Sequence, residues 1–135
     1  MALALAGVLG VLGLLHVYWA ITGVSGRSVA LPEVDGEPVF VPSRASSALV
    51  AAGLLFAAWL ALAIGGVLAA PLSPTALRLL CTIVGAAFLA RAVGEFRLLG
   101  FFKRVKGTPF ARWDTVLFSP LSLAIALAFF VLAAR

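Results

Sequence analysis

Apolar residues run along this chain in four long stretches, at about positions 2–22, 43–70, 75–99 and 114–134, with polar and turn-forming residues collected between them. A helix needs about 20 residues to cross a hydrocarbon core of roughly 30 Å, so each stretch is long enough to span. The pattern predicts an all-α fold: a four-transmembrane-helix bundle running up-down-up-down, as one domain over residues 1–135. Ser43, following Pro42, reads as the N-cap of the second helix, which Pro71 and Pro74 stop. Pro120 is expected to bend the fourth, because it lacks a backbone donor and crowds the preceding turn. The first stretch carries no charge before Arg27, and Tyr18 and Trp19 stand where a signal peptide would have small residues, so it is expected to remain as a span.

The first loop, 23–42, is punctuated by Pro32, Asp35-Gly36, Pro38 and Pro42 and is expected to be extended. Val34 and Val39 flank the Asp-Gly turn signal, which predicts a short hairpin. The alternative is that the segment PVFVP forms an apolar flap dipping into the headgroups.

Composition sharpens this picture. Of 135 residues, 64% are hydrophobic and 11% charged, against about half apolar and a quarter charged in soluble domains. The net charge of +5 does not imply nucleic acid, because the basic residues flank apolar stretches instead of covering a folded face. They report orientation. The first and third loops hold Arg27, Arg44, Arg97, Lys103, Arg104, Lys106 and Arg112, against Arg78 and Arg135 on the other side. Since cytoplasmic loops carry the basic excess, loops 1–2 and 3–4 are expected to be cytoplasmic and both termini outside. The basic run at 103–106 would also attract anionic headgroups. A single cysteine, Cys81, allows no internal disulfide and no Cys-rich zinc site, and no metal is expected.

The polar residues of the spans gather at the cytoplasmic end. His16 lies near the end of the first helix, Arg91 and Glu95 near the end of the third, and Asp114, Ser119 and Ser122 at the start of the fourth. Charged groups in a span cost about 2.5–3.5 kcal/mol each on insertion scales, so Arg91 and Glu95 are expected to face inward and to pair at their four-residue spacing. Spare Arg91 donors would then reach Asp114 or a ligand. Asp114 also reads as the N-cap of the fourth helix. Tyr18, Trp19 and Trp113 match an interfacial aromatic belt or the apolar wall of a site, and Phe96 joins them as a wall residue.

On these residues the chain resembles an uncharacterised family of small bacterial four-helix membrane proteins, a domain of unknown function. The similar stretches are HVYWAITGVSG at 16–26, ALPEVDGEPVFVPS at 30–43, RAVGEFRLLGFFKRVKGTPFARWDT at 91–115 and FSPLSL at 118–123. The resemblance implies the fold and a multi-pass setting in the bacterial cytoplasmic (inner) membrane, and brings no reaction with it.

The function expected from the residues is binding or transforming a small amphiphile, such as a lipid, isoprenoid or quinone-like molecule, in a pocket formed by His16, Tyr18, Trp19, Arg91, Glu95, Trp113, Asp114 and Ser119. Whether that includes catalysis stays open. A purely structural clamp formed by Arg91, Glu95 and His16 stands beside it. The alternatives are an accessory or structural subunit of a larger membrane complex, or a homo-oligomer, and a small transporter, although the first helix lacks a carboxylate. No cofactor is expected; His16 could serve as an axial ligand to haem or another tetrapyrrole, but as the only histidine it would need a dimer or another subunit for a bis-His site.

Overall fold

The structure is a computed structural model and describes residues 1–24 and 29–135. Arg27, counted above for orientation, and Ser25 and Gly26 of the 16–26 stretch lie outside the described residues. Four helices carry the fold: α1 (Ala2–Thr22), α2 (Arg44–Ile64), α3 (Pro74–Val93) and α4 (Pro109–Ala133). At 20 to 25 residues each and about 1.5 Å per residue, all four are long and apolar enough to cross a membrane. Leu3 and Val11 are each 68% exposed, a surface that suits hydrocarbon and would be an aggregation liability in water. Together these features point to a multi-pass membrane protein.

The helix ends follow local chemistry. Ser43 caps α2 by accepting the Ser46 N–H at 3.1 Å, and Ser73 caps α3 by accepting the Ala76 N–H at 3.2 Å. Helix α2 stops at Ile64, short of the expected position 70. Consecutive Gly65 and Gly66 weaken the helix there, and the Val67 N–H turns back to the Leu62 carbonyl at 2.9 Å. Helix α3 stops at Val93 instead of 99, at Gly94. Helix α4 begins five residues before the expected Asp114, with Thr108 as N-cap accepting the Ala111 N–H at 3.0 Å and Pro109 in the first turn. Asp114 is therefore not the N-cap.

Pro120 acts through the turn ahead of it. Residues Asp114–Phe118 form a wide π-helical turn, closed by the Ser119 N–H donating to the Asp114 carbonyl. A proline at 120 withholds the donor that ordinary winding would supply to the turn before it, and the wider turn absorbs the defect.

Helix α1 packs mainly on α2, and α3 mainly on α4. A side chain at Gly13 would strike Leu55, one at Gly65 would strike Ala2, and one at Gly85 would strike Phe130, so these glycines stand at close helix approaches. Leu5, Leu9, Leu60, Ala61, Cys81, Ile125, Phe129 and Leu132 make the common apolar core. The first loop folds as the hairpin: Glu33–Val34 pairs antiparallel with Glu37–Pro38, and Asp35 and Gly36 both take the positive φ of a two-residue turn. Val39, Phe40 and Val41 follow it and are exposed.

Candidate functional site

The polar residues form two groupings, not one. The first is centred on Asp114, which is fully buried. Its Oδ1 accepts Arg91 Nη2 at 2.7 Å; its Oδ2 accepts the Gly100 N–H at 2.8 Å, Lys103 Nζ at 3.0 Å and Ser119 Oγ at 3.1 Å. Lys103 is only 4% exposed and uses all three of its donors, on Asp114, the Gly100 carbonyl at 3.0 Å and Thr115 Oγ1 at 2.7 Å. Thr115 passes its own proton to the Ala111 carbonyl at 2.9 Å. A carboxylate offers about two lone-pair positions on each oxygen, and here three donors crowd Oδ2 while Arg91 takes one position on Oδ1. Lys103 keeps no free donor and Asp114 is fully enclosed, and the grouping clamps α3 and the third loop to α4.

One donor is left over. Arg91 Nη1 is buried with no hydrogen-bond partner among the described residues, and an unmet buried donor costs about 1–3 kcal/mol unless a water or ligand oxygen meets it.

The third loop positions the cluster by closing on itself. The Phe101 N–H donates to the Ala92 carbonyl at 2.9 Å, and the backbones of Gly94 and Gly100 touch where the chain crosses. Inside the crossing, the Glu95 carboxylate accepts the Leu98 N–H, and the Leu99 N–H at 3.1 Å. Glu95 is exposed and does not pair with Arg91, against expectation. The i,i+4 relation fails because Gly94 ends the helix between them.

His16 belongs to the second grouping. Its Nδ1–H donates to the Leu12 carbonyl at 2.8 Å, and its ring stands edge-on to Trp19 with centroids 4.9 Å apart. The two line a recess of about 240 Å³ with Leu31, Phe40, Ser46 and Ser47, contributed by the first loop and α2. Among the described residues, no hydrogen bond, ion pair or ring contact joins His16 to Arg91, Glu95 or Asp114. Depth along a helix sets which residues share a level, whereas helix pairing decides which meet, and α1 pairs with α2. Tyr18 is exposed beside this grouping. Trp113 and Phe96 are also exposed; Trp113 lies on a separate cleft with Arg112, and Phe96 rests near Phe102.

Sequence reasoning missed Lys103, Gly100 and Thr115. Lys103 sits in a basic run that orientation explains by itself. The signal that would have singled it out is the glycine pair at 94 and 100, which folds the loop back toward Asp114.

No curated protein and no solved structure matches the chain. A family profile matches residues 9–129, which contain every side chain of both groupings. The chain thus belongs to the family DUF3995, described as a protein of unknown function.

Proposed function

We propose that the protein holds the polar head of a small amphiphile, a lipid, isoprenoid or quinone-like molecule, in the His16 recess, with the tail in the surrounding hydrocarbon. The observation that carries this reading is the free ring nitrogen of His16. Because a carbonyl only accepts, the Leu12 contact places a proton on Nδ1, so that in the neutral imidazole Nε2 is an acceptor, unpartnered among the described residues. A ligand hydroxyl would donate to it, and the Ser46 and Ser47 hydroxyls at the same recess add polar contacts. At about 240 Å³, the recess is smaller than the roughly 300 Å³ at which pockets begin to enclose a whole drug-sized molecule, which suits a head group and not an entire lipid.

The helix course proposed here is up-down-up-down, supported by Ala2 meeting Gly65 while Gly13 meets Leu55, and by Arg91 meeting Asp114 while Gly85 faces Phe130. With the basic residues of the third loop on the cytoplasmic side, the recess opens toward the inner leaflet.

The test is mass spectrometry of species retained by the protein in mild detergent. His16→Phe is expected to lower the retained ligand about tenfold, the effect of one lost buried hydrogen bond worth about 1.4 kcal/mol, while thermal melting stays close to that of the parent. Equal retention by the folded variant would overturn the assignment.

A second reading, an accessory subunit or a homo-oligomer, is favoured by one observation. Gly7 and Gly10 have open space where a side chain would go, beside an apolar groove lined by Ala4, Val8, Val11 and Leu121. Glycines facing outward from a span suit a partner helix. Gly7→Leu with Gly10→Leu is expected to leave the fold intact and, on this reading, to abolish association in light scattering of the detergent complex; unchanged mass would remove it.

A further inference from the structure

We propose that the first turns of α4 hold one anionic phospholipid, its phosphate on Arg112 and the start of an acyl chain along Trp113 and Val116. This site is separate from the His16 recess and does not depend on it. Pro109, Arg112, Trp113 and Val116 line a cleft of about 430 Å³ with Gly107. Their three- and four-residue spacing puts them on one helix face. Val116 lies four residues beyond Arg112, about one turn further along the axis, so the face passes from a cation through an indole to an aliphatic side chain. A phospholipid presents the same order from phosphate to glycerol to chain, and indoles favour the headgroup level.

Charge singles out an anion. The two carboxylates near this segment are already occupied: Glu95 by the Leu98 and Leu99 N–H groups, Asp114 by Arg91, Lys103, Gly100 and Ser119. Arg97, Arg104, Lys106 and Arg112 therefore have no acidic partner among the described residues. Of these four, Arg112 is the one that lines the cleft, and its guanidinium can grip a phosphate through two parallel donors.

Native mass spectrometry of the full chain in detergent, titrated separately with phosphatidylglycerol, phosphatidylcholine and inorganic phosphate, tests this. One phosphatidylglycerol is expected to be retained, clearly above phosphatidylcholine and free phosphate. Arg112→Gln should weaken it about fivefold, the effect of one charge near a lipid surface, and Arg97→Gln less than about twofold. Trp113→Leu reads the same site should Arg112→Gln not fold, and is expected to weaken retention too. Equal losses from Arg97→Gln and Arg112→Gln would mean a diffuse basic patch and overturn the site. No preference for phosphatidylglycerol, equal binding of inorganic phosphate, or unchanged retention in folded Arg112→Gln or Trp113→Leu would overturn it as well.

Discussion

Asp114→Asn is expected to lower the stability of the protein by about 3–5 kcal/mol, the usual effect of removing one member of a buried ion pair. The carboxylate is the common acceptor of Arg91, Lys103, the Gly100 N–H and Ser119. An amide of the same size brings two protons of its own into a cage of donors and leaves Lys103 as a buried cation with no counter-charge. Against a total stability of about 5–15 kcal/mol, the loss would be plain in thermal melting followed by circular dichroism in detergent. Lys103→Met gives the contrast. It leaves Arg91 and Asp114 as a balanced pair, still joined by Gly100 and Ser119, and should cost less than half as much. Equal losses from the two variants would show that the carboxylate is not the hub.

Gly94→Ala is expected to approach the same loss by another route. Gly94 has φ 85° and ψ −177°, a region open essentially to glycine alone and worth about 1–3 kcal/mol of strain to any other residue. A methyl group there would also run into the Leu99 carbonyl and the Gly100 Cα, backbone atoms that cannot rotate away. To make room the crossing must open, which pulls the Gly100 N–H and Lys103 off Asp114. Stability read from thermal melting should fall by more than about 3 kcal/mol in total. Gly53→Ala, inside α2 with open space around it, should be neutral or stabilising by up to about 1 kcal/mol. If Gly94→Ala melts like the parent, the loop does not depend on its crossing.

The four helices were legible because unbroken apolar runs of 20 residues have few other uses. Their ends were less so: a run of apolar residues continues past Ile64 and Val93, but glycines at 65, 66 and 94 end the helices first. In the polar cluster, Arg91, Asp114 and Ser119 could be read from charge and depth. Glu95 was misplaced because spacing along a helix predicts contacts only while the helix lasts, and Lys103 was passed over because a loop lysine needs a reason to be buried that only the glycine crossing supplies. His16 lines a recess with α2 and the first loop and not with Arg91, since composition says nothing about which helix pairs with which.

The wide turn at Asp114–Phe118 also sets the angular phase of the rest of α4. Five steps of ordinary α-helix advance about 500°, which leaves residue i+5 about 140° away from residue i; here Asp114 and Ser119 instead meet side chain to side chain at 3.1 Å. The turn behaves as a one-residue insertion into regular winding, and Ser122, Ile125, Phe129 and Leu132 take their inward bearing from it. Deleting one residue between 115 and 118 would restore regular winding and leave that stripe in place, whereas deleting one just after Ser119 would swing the inward residues beyond it by about 100°. The apolar end of the last span is thus indexed to the acidic residue at its other end, and tolerates changes in side chain more readily than changes in length.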